Sequence, residues 1–208
     1  MCALPLLGAL APAHGPDFRD PNSVATLVTP RIALPRGFQP RRLVVPNVRF
    51  TFTGFAEKRQ VRDDVAGPLR RLFAAASADG VPLAGVSGYR SEATQRSLYA
   101  DQVARDGRQQ ADRVVARPRH SEHETGLAID VSGADGRCQA EACFAGTREA
   151  RWIAAHAPDY GFIVRYPKGA EAITGYEYEP WHLRYVGVRL AREVAASGVT
   201  LDEFLGAR

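Results

Sequence analysis

The chain has 208 residues, 45% of them hydrophobic and 24% charged, which suits one globular domain with a sizeable core and excludes a disordered or collagen-like polymer. Its formal charge of +4 rests on arginine, with Lys58 and Lys168 the two lysines. That excess fits an anionic surrounding such as a cell wall, or simply solubility with arginine chosen by a GC-rich genome; without a basic helix or a base-stacking aromatic set it is no argument for nucleic acid, and no apolar run reaches the roughly 20 residues of a membrane-spanning helix.

From the amino end, Met1 to Ala13 is apolar and finishes in Ala11-Pro-Ala13, the form of a secretory h-region and cleavage site without its positively charged start. Residues 1–20 are therefore expected to be a signal remnant or disordered leader, and residues 21–208 a single catalytic domain, exported to the cell envelope or periplasm. Residues 15–48 are rich in proline and arginine and should wrap, extended, across the domain surface.

Val65, Leu69, Leu72, Phe73 and Ala76 recur at helical spacing before Asp79-Gly80, which predicts a helix over residues 65–78. Residues 81–87 form a short apolar run and read as a buried strand. Ser91 caps a second helix, with Glu92 in its first turn, that runs to about Asp106-Gly107. Residues 108–119 are polar and arginine-laden and read as a loop over the functional cleft, followed by a central strand at 126–131. Thr147 caps a helix to His156 that Pro158 ends, and residues 161–166 and 182–186 read as two more strands. A helix at 188–196 and the capping box Thr200-Leu-Asp-Glu203 close the chain. Helices first and strands later, without regular alternation, predict an α+β fold with a mainly antiparallel central sheet flanked by helices.

Cys138 and Cys143 lie in a polar loop with four residues between them. A zinc-binding pair lacks a second pair of soft ligands nearby, and two free thiols are the plain alternative. A disulfide is the favoured reading; it would contribute roughly 2 kcal/mol by chain entropy and fits an oxidising compartment.

Two stretches carry chemistry: Ser121-Glu-His123-Glu-Thr-Gly126-Leu-Ala128-Ile-Asp130 and Glu179-Pro-Trp181-His182. Two imidazoles and one aspartate are the three protein ligands of a catalytic zinc site with an open fourth position. The separate Glu179 is what such a site needs to take a proton from water. The pattern Ser-x-His-x-x-Gly-x-Ala-x-Asp fixes five positions and arises by chance on the order of once per million starting points. Pro180 keeps Glu179 and His182 off a helix, so a turn or strand start must present them together. Asp130 falls on a strand pattern, a rigid support, and Gly126 permits close backbone approach. His120 and His156 are read as loop or surface histidines.

These motifs, with Ser87-Gly-Tyr-Arg90-Ser, Gln95, Gly161-Phe-Ile-Val-Arg-Tyr-Pro167, Thr174-Gly-Tyr and Glu179-Pro-Trp-His-Leu-Arg-Tyr-Val-Gly187, occur in the order found in a known family. The chain resembles the VanY-type zinc D-Ala-D-Ala carboxypeptidases of the hedgehog, lysostaphin and D-Ala-D-Ala metallopeptidase fold group. It departs from them in the arginine-rich region from Arg105 to Arg119. The resemblance implies one Zn2+ held by His123, Asp130 and His182 in a cleft on the sheet, Glu179 as general base, and Arg90 beside the developing oxyanion. It also implies Ser121 and Gln95 as substrate anchors, with Tyr166 and Trp181 as pocket wall. The expected substrate is a peptidoglycan stem peptide ending in D-Ala, cut by a monomer acting as a D,D- or L,D-carboxypeptidase. An endopeptidase of the same fold, as in phage endolysins, and a zinc-site binding module without hydrolysis are the alternatives. Glu179 together with Arg90 argues against the binding module.

Overall fold

Period-two patterning decides which strands meet and which face each side chain takes. In the computed structural model, which describes residues 17–206, β1 (Leu43–Val44) and β2 (Val61–Arg62) form a short antiparallel ladder ahead of helix α1 (Asp63–Ala78). Strand β3 (Leu83–Ser87) leads to helix α2 (Glu92–Val114), and β4 (Ala128–Gly133) to helix α3 (Arg148–His156). Then come β5 (Phe162–Tyr166), the single turn α4 (Glu171–Thr174), β6 (Glu179–Tyr185), α5 (Val188–Ser197) and α6 (Leu201–Phe204). The central sheet has the order β3-β4-β6-β5, antiparallel throughout, so the α+β expectation holds.

Ile129, Val131, Phe162 and Leu183 point to one face of this sheet and pack with Val65, Leu69, Leu72 and Phe73 of α1 and Ile153 of α3 in the main apolar cluster. At about 25 cal/mol per Å2 of apolar surface removed from water, a layer of this size is the main stabilising term of the fold. Thr147 caps α3 by accepting the Ala150 N–H at 3.1 Å, and Thr200 and Glu203 close a capping box on α6. Among the described residues no helix is long and apolar enough to cross a membrane.

Two expectations are corrected. The polar stretch after Gly107 is helical as far as Val114: Gly107, at φ 78° and ψ 162°, turns the chain and lets a second helical segment start. Ala111, fully buried, anchors that segment, while its remaining polar residues face outward or into the cleft. The amino-terminal segment also does more than wrap the surface. Residues 25–29 are buried, and Ala25 and Leu27 join Ile163, Val186, Leu190 and Val194 in a second, smaller cluster. The apolar leader and Cys2 lie outside the described residues.

Candidate active site

The register of the central strands brings the site together. Asp130 of β4 stands directly opposite His182 of β6, and such pairs share one face with Cβ atoms about 4.5–5.5 Å apart. His123 arrives from a single 3-10 turn, Glu122–Thr125, that ends at Gly126 in the left-handed region (φ 69°). A Cβ at Gly126 would lie 3.1 Å from both Arg62 N and Leu43 Cδ2, so both the conformation and the close approach call for glycine.

Glu179 needs a device of its own, because residues three apart on a regular strand face opposite sides. Between the pairs Val164↔Leu183 and Tyr166↔Glu179, β5 advances two residues while β6 advances four. This bulge accommodates Pro180, which a central ladder would otherwise reject, and it turns Glu179 towards His182, with Oε2 3.6 Å from Nδ1.

One ligand atom each from His123, Asp130 and His182 lies within 4.8 Å of the others. His123 Nε2 is 3.4 Å from Asp130 Oδ2, and His182 Nδ1 is 3.3 Å from Asp130 Oδ1. The far ring nitrogens are occupied: His123 Nδ1 donates to the Gly88 carbonyl at 2.7 Å, and His182 Nε2 faces Glu122 Oε2 at 3.3 Å. Those partners fix which nitrogen of each ring faces the centre. His123 Nε2 and Asp130 Oδ1 are buried without a hydrogen-bond partner. Buried polar atoms rarely go unpaired, and a cation among these three residues would satisfy both. The donor set, two imidazoles and a carboxylate, fits zinc.

Electrostatics follow from burial. Loss of hydration, with Arg90 adding to it, pulls His123 down to about 4, which leaves the neutral ring a metal requires. Burial also acts against a charge on His182, but the adjacent Asp130 and Glu122 carboxylates outweigh it and hold that ring at about 9, so a bound cation would displace its proton. Burial raises Asp130 less than its two imidazoles lower it, and it stays ionised far below the usual range. Burial lifts Glu179 to about 7, close to the value that suits a proton acceptor and donor at neutral pH. The Arg90 guanidinium is depressed by burial, opposed by Asp130 and Glu179.

A cleft of about 540 Å3 opens over these groups, walled by Ser121, Tyr166, Trp181 and Arg90 and, on the far side, by residues of the second segment of α2. Tyr166 packs against His182, with ring centres 4.9 Å apart and the rings inclined at 49°. Gln95 is not among the cleft-lining residues. It is wholly buried and its amide donates to the Ala116 carbonyl at 2.7 Å, so it braces the cleft wall from behind instead of reaching into the cleft. Cys138 and Cys143 are joined by a disulfide with Cα atoms 5.6 Å apart. His120 bonds the Thr29 carbonyl and His156 packs against Trp152, so neither joins the His123, Asp130 and His182 group.

Sequence reasoning missed Glu122. It is fully buried, its Oε1 accepting from Arg165 Nε at 2.8 Å and Arg184 Nη1 at 2.7 Å, and Arg165 continues to Asp202 at 2.5 Å. Burial pushes Glu122 up, but the two arginines and His182 bring it well below the ordinary carboxylate range. Arg184 also donates to the Val24 and Thr26 carbonyls, tying the amino-terminal segment to the site. The available signal was two arginines inside strand patterns otherwise filled by apolar residues.

Residues 58–188 match the VanY family, described as D-alanyl-D-alanine carboxypeptidase. YodJ of Bacillus subtilis (strain 168) is 41% identical over 186 residues, which is 89% of this chain and 68% of that protein. Among solved structures, the LdcB LD-carboxypeptidase aligns with a TM-score of 0.85 at 42% identity, covering 89% of this chain and 86% of that one. A substituted vancomycin-resistance D,D-pentapeptidase VanY from a VanB-type cassette, solved with Zn(II), aligns at TM-score 0.73 and 30% identity, covering 88% and 99%. With a family match over 131 of its residues, counted from 58 to 188, the chain belongs to the VanY family of D-alanyl-D-alanine carboxypeptidases.

Proposed function

We propose that this protein is a zinc-dependent carboxypeptidase that removes the C-terminal D-alanine from peptidoglycan stem peptides in the cell envelope, as a D,D- or L,D-carboxypeptidase. The observation that carries the reading is the pair of buried, unpartnered atoms His123 Nε2 and Asp130 Oδ1 beside His182 Nδ1, with Glu179 at the edge of the same centre. The Zn(II) held by the related VanY supports zinc as the ion. Bound by His123, Asp130 and His182, zinc would polarise a scissile carbonyl and make water acidic enough to attack near neutral pH.

The chain's own residues do the rest. Glu179 takes the proton of the attacking water and returns it to the departing amine, a two-way task suited to a carboxyl at about 7. Arg90, which lines the cleft, offers a positive charge where the carbonyl oxygen gathers negative charge. Ser121 lines the same cleft, and Tyr166 and Trp181 confine the peptide.

Steady-state release of D-alanine from a peptide ending in D-Ala-D-Ala tests the reading, with an L,D-tetrapeptide assayed in parallel. Glu179→Ala is expected to keep its metal and lose at least about 100-fold in kcat with little change in KM. Near-parental kcat in that variant would falsify the mechanism. No release by the metal-loaded parent from either peptide would favour a binding module.

A further inference from the structure

One wall of the cleft owes nothing to the sheet or to the metal ligands. Ala140 and Ala142 line it, and both lie on the loop closed by the Cys138–Cys143 disulfide. Residues 139–143 are exposed to solvent, so burial does not hold them. Within the loop, Cys138 and Ala140 take φ of 54° and 52°, the left-handed region that residues with a Cβ leave unless their surroundings enforce it.

The restraints on this loop are few. Gln139 donates to the Gly136 carbonyl at 2.6 Å and accepts from Thr51 Oγ1 at 2.8 Å. Phe144 is fully buried in the main cluster, and the turn Ala142–Gly146 packs on β6, the strand that carries Glu179 and His182. The disulfide is the covalent restraint, and it connects Cys138, packed against the core, to the residue just ahead of Phe144.

We infer that the disulfide-closed loop is a substrate-positioning wall: it holds the methyl groups of Ala140 and Ala142 against the peptide in the cleft, and the disulfide keeps that wall in register with Glu179. The inference rests on the carboxypeptidase reading above. Opening the disulfide lets Cys138 and Ala140 relax to ordinary φ, withdraws the wall and weakens peptide binding. The metal ligands are untouched, because strands β4 and β6 and the turn before Gly126 carry them.

The test compares the full chain with Cys138→Ala/Cys143→Ala and with Ala142→Leu, in which the disulfide stays and a larger side chain fills the wall. The denatured parent should show no more than one titratable thiol per chain, that of Cys2. The double variant should bind as much zinc as the parent and raise KM roughly 5-fold or more, with kcat within about 2-fold, the pattern of lost ground-state binding. Ala142→Leu should raise KM without needing the thiols, which keeps the inference testable if the double variant folds poorly. Two further thiols in the parent, or a parental KM in either zinc-loaded variant, overturns the inference alone. Absence of D-alanine release by the zinc-loaded parent overturns the functional reading and this inference with it.

Discussion

On one face of the central sheet Ile129, Val131 and Leu183 meet α1 and α3 in an apolar layer; on the other, one residue along the same strands, Asp130, His182 and Arg184 meet buried charge. The first face tolerates exchange of one hydrophobe for another of similar volume, since its attraction has no direction. The second depends on hydrogen bonds and paired charges, each of which becomes costly when its partner is removed. Because side chains alternate, a slip of one residue in the β4–β6 register would interchange the two faces and destroy both. The apolar face can thus be altered without touching the chemistry, whereas the charged face carries both, and mutation can show it.

The largest effect is expected on the charged face. His182→Ala and His123→Ala should each abolish stoichiometric zinc by metal analysis and reduce D-alanine release to background; undiminished one-to-one zinc in both would refute the ligand assignment. Next comes Glu122→Leu, which leaves Arg165 with Asp202 as its remaining carboxylate, leaves Arg184 with backbone carbonyls and no carboxylate, and removes the partner of His182 Nε2. Denaturant titration of the metal-free protein should show a loss of about 4 kcal/mol, in the range for breaking a buried ion pair, together with weaker zinc binding. A stability change under about 1 kcal/mol would mean that the pairs contribute little.

On the apolar face, Leu72→Ala should cost about 3 kcal/mol through lost burial and the cavity left behind, while kcat and zinc content stay parental. A drop in kcat as large as that from Glu179→Ala would show that the two faces are not separable. The smallest effect concerns Glu124, which burial raises from 4.5 to about 7 although it accepts the Arg119 N–H. Its folded-state value lies above the unfolded one, so its stabilising contribution is complete below about 4.5 and disappears as pH rises through 7. Glu124→Gln stays neutral, and in metal-free protein its melting temperature should fall less than the parent's between about pH 5 and pH 7.5. Parallel curves for the two proteins would remove Glu124 as a source of pH dependence.

How far the sequence could be read depended on whether the signal was local. The apolar spacing of α1 and the caps at Thr147 and Thr200 are interactions within one or two turns, and they could be read directly. Asp130 and His182 were legible as types in a motif, although their facing register involves strands 52 positions apart, counted from 130 to 182. The helical segment after Gly107 was not, because only Ala111 of its residues is buried and there is no apolar stripe to detect. Arg165 and Arg184 stand out in otherwise apolar strand patterns, but the sequence does not point to their buried partner Glu122, 43 and 62 residues away. Gln95 was misplaced because a glutamine that anchors a ligand and one that braces a wall look alike until Ala116 is seen beside it.

The Arg165–Asp202 pair gives the order of synthesis a physical meaning. A ribosome delivers Glu122 first, then Arg165, His182 and Arg184, and Asp202 last of all. Until α6 has emerged and docked, Glu122 faces two guanidinium groups alone, an imbalance that a nonpolar interior resists. The nascent chain therefore has reason to keep this corner hydrated and open until the balancing carboxylate arrives. A proteolytic cut that releases α6 would restore the imbalance beneath His182, some twenty residues from the damage.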